Sequence, residues 1–217
     1  MYAYSEENTQ QALHQGLTPE QSHLLQEAKV AVVGLGGLGS NVAMWLARLG
    51  VGHLMLYDFD KVELSNLNRQ YYFLEDVGKY KAEALLAKLQ QVNPYGDYQS
   101  KVARLTEANL EELLAPAHII CEALDEAEAK AMLVNGVLEK FPDKYLVAAS
   151  GLAGLEDSSS MTVRQITPRF YLCGDRHSDF HELPLCGARV GLCAAQEALT
   201  IARLILRLEG ENGKYGQ

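Results

Sequence analysis

Apolar positions along the chain fall into two kinds of segment. Short continuous runs, of which Val30–Val33 is the clearest, are what a central parallel strand buried on both faces requires. Longer stretches space their apolar residues at helical intervals, as Val42, Trp45, Leu46 and Leu49 do, and again Leu85, Leu86 and Leu89. On this basis the sequence predicts strands at 30–33, 53–57, 98–103, 117–121 and 145–149. Helices are predicted between them at 38–49, 81–92, 107–114 and 126–139, with Trp45 and Tyr57 assigned to the core by spacing. Upstream, Thr18-Pro19-Glu20-Gln21 reads as a capped helix start, with Gln21 closing a capping box, and that helix should reach about Glu27. The residues before it, 1–17, are polar and aperiodic and are expected to form a flexible arm. Past Gly151 the pattern changes: 161–166 and 170–172 predict antiparallel strands, and a long apolar helix runs from about Arg189 to Leu208. Strands alternating with helices at this pace predict an α/β fold, a mostly parallel sheet with helices on both faces. No repeat or linker interrupts the pattern, so residues 1–217 are expected to form a single domain.

Composition narrows the functional classes. With 217 residues, 48% apolar and 22% charged, the chain is ordinary for a folded protein with its own core. The net charge of −9, from 28 acidic and 19 basic residues, argues against DNA or RNA as partner, since a polyanion needs a basic face. A single nucleotide needs only a few local cations and passes this test. From Val30 to Ala47 no residue is charged, a length near the ~18-residue bound for a membrane span. Gly34, Gly36, Gly37, Gly39, Ser40 and Asn41 make its centre too polar and too flexible for lipid, so it reads as two buried elements joined by a turn. The first 28 residues contain no Lys or Arg, so no signal peptide is expected. Four irregularly spaced cysteines, Cys121, Cys173, Cys186 and Cys193, then suggest reduced thiols and a cytoplasmic location.

The turn itself carries chemistry. Gly34-Leu35-Gly36-Gly37-Leu38-Gly39 fits G-x-G-x-x-G between a strand and a helix, where backbone N–H groups and the helix dipole favour phosphate. Asp58, at the end of the second strand, is placed to accept hydrogen bonds from ribose hydroxyls. Strand, turn, helix and acid together predict a Rossmann-like nucleotide site, which on this evidence alone could take NAD or ATP. The turn lacks a Lys followed by Ser or Thr, which excludes a Walker-type loop. The segment after Asp58 separates the two ligands. Asp58-Phe59-Asp60-Lys61-Val62-Glu63-Leu64-Ser65-Asn66-Leu67-Asn68-Arg69-Gln70, followed by Val77-Gly78-Lys79-Tyr80-Lys81, is polar and bears cations. An NAD(P)-dependent oxidoreductase leaves Asn66, Arg69 and Lys81 without a purpose. A nucleotidyl-transfer enzyme needs such groups to neutralise phosphate charge as the α-phosphate is attacked. Asp125, after the strand at 117–121, suits either a helix N-cap or Mg²⁺.

These blocks resemble the ThiF/MoeB/ubiquitin-activating superfamily: G-x-G-G-L-G-S, D-F-D-x-V-x-x-S-N-L-N-R-Q, V-G-x-x-K, then Ala123-Leu124-Asp125, Ala148-Ala149-Ser150-Gly151 and Arg189-Val190-Gly191. The likeness runs from about Lys29 to the last helix and is strongest with short ThiF-like adenylyltransferases of sulfur carrier proteins. By that resemblance, Gly34, Gly36, Gly37 and Gly39 would cradle ATP and Asp58 would hold its ribose. Asn66, Arg69 and Lys81 would contact phosphates, Arg69, Lys81 and Asp125 would serve catalysis, and Asp125 would bind Mg²⁺. The implied substrate is the C-terminal glycine carboxylate of a ThiS-like carrier in thiamine (thiazole) biosynthesis, or of a molybdopterin-synthase-type carrier, with a homodimer as the assembly. A non-catalytic adaptor would be expected to lose Arg69, Lys81 or Asp125, and all three are present. Longer relatives bind zinc through two C-x-x-C pairs that this chain lacks, so no such zinc site is expected. Cys173, His177, His181 and Cys186 are a non-standard alternative for a metal, and Cys173 or Cys186 an alternative for a thiol step. The arginine that many relatives supply from an N-terminal arm has no counterpart, the first Arg being Arg48.

Overall fold

A computed structural model describes residues 4–179 and 181–208. Two short helices come first, α1 (Glu6–Leu13) and α2 (Pro19–Glu27), then β1 (Lys29–Val33), α3 (Gly37–Arg48) and β2 (His53–Asp58). A loop with two 3-10 turns, Leu64–Asn66 and Leu74–Asp76, leads to α4 (Lys81–Val92) and β3 (Asp97–Val102). The remainder is α5 (Leu110–Leu114), β4 (Ile119–Glu122), α6 (Ala127–Lys140), β5 (Tyr145–Ala149), β6 (Thr162–Thr167), β7 (Phe170–Gly174) and α7 (Gly187–Ile205). The strands form one seven-stranded sheet in the order β3-β2-β1-β4-β5-β7-β6, parallel except for the antiparallel pairing of β6 to β7. This is a Rossmann-like α/β fold, and its strand order reverses between β1 and β4.

The continuous apolar runs follow from burial on both sides. Val30, Val32, Leu54 and Leu56 pack with α3, α4 and α7 on one face, while Ala31, Val33, Ile120 and Leu146 pack with α5 and α6 on the other. Side chains alternate across a strand, so a strand covered on both faces needs apolar residues at every position.

Three local expectations are corrected. Trp45 is 46% exposed, because α3 buries the stripe of Leu38, Val42 and Leu46 with Ala43 and Ala47, leaving Trp45 on its flank beside Tyr71 and Arg48. The helix expected from 107 begins only at Leu110, since the Asn109 side chain accepts from the Thr106 N–H and closes a turn there. The segment expected to be a flexible arm contains α1, capped by Ser5. No side chain within α1 is buried, which is why it shows no apolar period. It is fastened at its ends instead, by the Tyr95 hydroxyl donating to the Tyr4 carbonyl (2.7 Å) and by buried His14 against the Gly50 carbonyl (3.2 Å). Residues 1–3 of that segment and 209–217 lie outside the described residues. Among the described residues no helix is long and apolar enough to cross a membrane.

Candidate functional site

Parallel strands leave a crevice at their carboxyl ends where the strand order reverses, and here it opens as a cleft of about 870 Å³. Its floor is the turn between β1 and α3. Gly34 adopts φ +87°, and a Cβ there would press on the Ala123 carbonyl 2.6 Å away; a Cβ on Gly39 would collide with the Gly34 carbonyl. The two glycines thus let the turn close and α3 dock on β1, leaving Gly34, Gly36 and Gly37 on the cleft wall and Gly39 behind it.

Asp58 ends β2 at the cleft, almost fully buried. One carboxylate oxygen accepts from the Leu35 N–H at 2.7 Å and the other from the Asp60 N–H at 2.8 Å. Burial pushes its carboxyl up, while the two backbone donors and nearby Lys81 oppose the rise. Lys81 opens α4, buried, with Nζ 3.0 Å from Asp60. Arg69 lies across the glycine turn near Gly37, and one guanidinium nitrogen donates to the Ser65 carbonyl (3.1 Å) and to Asn68 Oδ1 (2.8 Å). Asp125 faces the cleft from the segment between β4 and α6, exposed, and takes no hydrogen bond or ion pair among the described residues. The N-cap of α6 is Glu126 rather than Asp125.

So the fold brings Gly34, Gly36, Gly37, Asp58, Arg69, Lys81 and Asp125 to one wall or another of a single cleft. Asn66 does not line it. That side chain is buried in the 3-10 turn, where Oδ1 accepts from the Glu63 N–H at 3.1 Å, and its own carbonyl accepts from the N–H groups of Arg69 and Gln70. Its local effect is to hold the segment that carries Arg69.

Other lining residues escaped the motif reading. The Arg104 guanidinium lies 4.3 Å from the Phe59 ring centre and 3.8 Å from Glu126, past the end of β3. Lys130 reaches the cleft from the first turn of α6, held by Glu122 at 2.6 Å and the Ala149 carbonyl at 2.9 Å. Gln70 is buried with Oε1 unpartnered among the described residues. Position alone could have nominated Arg104, because it directly follows a strand at the carboxyl edge.

The Cys173, His177, His181 and Cys186 set is not gathered. Cys173 is buried in the core, where burial and then Glu197 push its thiol up, which removes it as a thiolate nucleophile or ready metal ligand. His177 instead sits 3.2 Å from Glu156 and 3.4 Å from Asp175, the metal-capable cluster found among the described residues. The Asp175 there is already held by Arg189 at 2.5 Å.

Residues 8–212 match the model of the ThiF family. A sulfur carrier protein adenylyltransferase of Thermus thermophilus is 38% identical over 130 residues, 59% of this chain and 43% of that protein. A protein named adenylyltransferase and sulfurtransferase MOCS3, from Anopheles gambiae, is 32% identical over 201 residues, covering 86% of this chain and 43% of the relative. A molybdopterin-synthase adenylyltransferase of Haemophilus influenzae is 37% identical over 110 residues, 50% of this chain and 45% of that one. The chain spans about half the length of these relatives or somewhat less. Among solved structures, the E. coli tRNA N6-threonylcarbamoyladenosine dehydratase TcdA in complex with ATP superposes with a TM-score of 0.80 at 21% identity, covering 90% of this chain and 92% of that one. That likeness is one of fold.

Proposed function

This chain belongs to the ThiF family, and from that premise we propose that it is an ATP-dependent adenylyltransferase acting on the C-terminal glycine carboxylate of a small ubiquitin-like sulfur carrier. The observation that carries the reading is the convergence of Arg69, Lys81 and Asp125 with the glycine turn and Asp58 on one cleft at the switch point. A dinucleotide oxidoreductase would need the turn and the acid but neither cation.

In this reading the turn amides and the α3 N-terminus hold phosphate, and Asp58 takes the ribose hydroxyls with the lone pairs its backbone donors leave free. Arg69 clamps phosphate oxygens, and Lys81 adds a point charge when phosphate competes with Asp60 for it. Asn66 acts through Arg69 by fixing the turn beneath it. The donor set suits Mg²⁺, which usually takes one or two carboxylates together with substrate phosphates, and Asp125 offers an uncommitted carboxylate at the cleft. Bound there with ATP, the ion would offset phosphate charge. The carrier carboxylate is already a nucleophile at neutral pH. Its oxygen forms a bond to the α-phosphorus, the bond from that phosphorus to the bridging oxygen breaks, and pyrophosphate leaves with the electron pair. Catalysis then rests on positioning and charge neutralisation, with no general base.

The carrier we propose is ThiS-like, which would put the reaction in thiazole formation for thiamine; support for that finer reading comes from the motif likeness, and the name of the Thermus relative supports a sulfur carrier as substrate. The tRNA substrate named for the structural neighbour fits poorly with a net charge of −9. ATP–pyrophosphate exchange is the direct test, run with ThiS-like and molybdopterin-synthase-type carriers. Carrier-dependent exchange is expected, and Arg69→Ala and Asp125→Ala should each lower it at least ~100-fold, the scale of removing one charge-stabilising group. Absence of exchange with either carrier would overturn the reading; near-normal rates in either variant would remove that residue's role.

A further inference from the structure

The reversal of strand order divides the cleft into two halves. Segments following β1, β2 and β3 bring the glycine turn, Asp58, Phe59 and Arg104, a half suited to a nucleotide. Segments following β4, β5 and β7 bring Asp125, Ser150 and Arg176, and the reaction as described leaves Arg176 unused.

Arg176 is unusual in its backbone. It adopts φ +70°, a left-handed conformation that is uncommon for a residue with a Cβ unless its surroundings impose it. The surroundings do impose it. The Asp175 side chain, fully buried, accepts from the His177 and Ser178 N–H groups at 2.9 Å each and from Arg189 at 2.5 Å. The N–H groups of Asp175 and Arg176 donate to the carbonyls of Gly151 and Ser150, both at 2.9 Å, stitching this turn to the loop after β5. A Cβ on Gly151 would collide with the Asp175 carboxylate and the Arg176 nitrogen, so the two loops can lie this close only with glycine there. Burial alone would raise the Asp175 carboxyl, but the Ser178 and His177 donors and Arg189 hold it well below the usual carboxylate range. The anchor therefore stays charged across the neutral and mildly acidic range.

What this turn presents is an exposed arginine among the residues lining the cleft, its guanidinium without a hydrogen bond or ion pair among the described residues. Neighbouring basic groups are committed: Lys130 to Glu122, His177 to Glu156 and Asp175, Arg189 to Asp175. An uncommitted arginine whose backbone is fixed beside a ligand cleft is suited to meet an anion.

We propose that Arg176, on the β4–β5–β7 side of the cleft, receives the C-terminal carboxylate of the incoming protein chain and presents it to the α-phosphate of the nucleotide. The inference rests on the adenylyltransferase reading and extends it to the acceptor. A guanidinium can hold a carboxylate through two parallel hydrogen bonds, which aligns an otherwise mobile chain end and refuses an uncharged one.

The test compares calorimetric binding of a ThiS-like carrier ending in a free glycine carboxylate with the same carrier ending in a carboxamide, each with a non-hydrolysable ATP analogue present. Wild-type protein should favour the carboxylate by about tenfold or more, the scale of a charge-assisted pair. Arg176→Gly should bind both forms alike, and Arg176→Lys should restore part of the preference. Glycine relieves the positive φ, so the Arg176→Gly protein should melt at or above the wild-type temperature, which separates lost recognition from lost folding. In pyrophosphate exchange the same variant should raise the KM for carrier about tenfold, with the KM for ATP unchanged. Retention of the wild-type preference by Arg176→Gly, or its absence in the wild type, overturns the proposal. A wild type that shows the preference yet catalyses no exchange would remove the adenylyltransferase reading and leave the carboxylate site in place.

Discussion

At the scale of single residues, one group that governs stability lies away from the cleft. Glu197, in the middle of α7, is fully buried and close to Cys121, with Oε2 unpartnered among the described residues. Burial first, and then Glu122, push its carboxyl well above the ordinary range, with Lys130 opposing. The folded state therefore keeps a proton that the unfolded chain gives up once the pH passes the ordinary glutamate value. Stability should fall as pH rises from there toward the folded-state value, by up to about 1.4 kcal/mol per pH unit for this one group. Glu197→Gln removes the titration while keeping the shape. Urea unfolding from pH 5 to 8 should show the variant gaining on the wild type with each step upward, and parallel curves would mean that Glu197 does not titrate this way.

At the scale of elements, α1 is the one whose stability depends least on packing. With no buried side chain of its own, it relies on the Ser5 cap and on contacts at its ends, of which His14 against Gly50 is the buried one. Gly50 follows α3 and precedes β2, at the edge of the sheet opposite the cleft. His14→Ala should cost about 1–2 kcal/mol and speed hydrogen exchange across 6–13, leaving ATP affinity unchanged; a loss of ATP affinity would show that α1 serves the site. The sequence reading missed α1 for the same reason that it is weakly held, since an element that buries nothing leaves no apolar period to read. Elements that bury a face were legible: α2 through its capping box, α4 through Leu85 and Leu89, and β1 through an uninterrupted apolar run. The cleft was partly legible. Gly34, Asp58, Arg69 and Lys81 lie in contiguous blocks whose spacing carries the signal, whereas Arg104, Lys130 and Arg176 reach the cleft from separate segments. Only the strand order brings those three together.

At the scale of the whole molecule, the distribution of charge matters more than its sum. A chain of net charge −9 collects Arg69, Lys81, Arg104, Lys130 and Arg176 around one cleft, three of them balanced by carboxylates: Lys81 by Asp60, Arg104 by Glu126 and Lys130 by Glu122. A small polyanion can be met there although the surface as a whole repels a long one. This predicts selective linkage between ligand and stability. A ligand bound only by the folded state stabilises it by about 2.7 kcal/mol at a hundredfold excess over its Kd. For a domain of this size that should raise the melting temperature by about 5–11 °C. ATP with Mg²⁺ should produce such a rise, ATP with chelator a smaller one, and Asp125→Ala should close the gap between the two. NADH and bulk tRNA should produce none, the first because it leaves Arg69 and Lys81 without phosphate to neutralise at their positions, the second because the cations sit inside a cleft. A rise with NADH that ATP fails to displace would return the glycine turn to dinucleotide binding, and an equal rise with and without Mg²⁺ would leave Asp125 without a metal to hold.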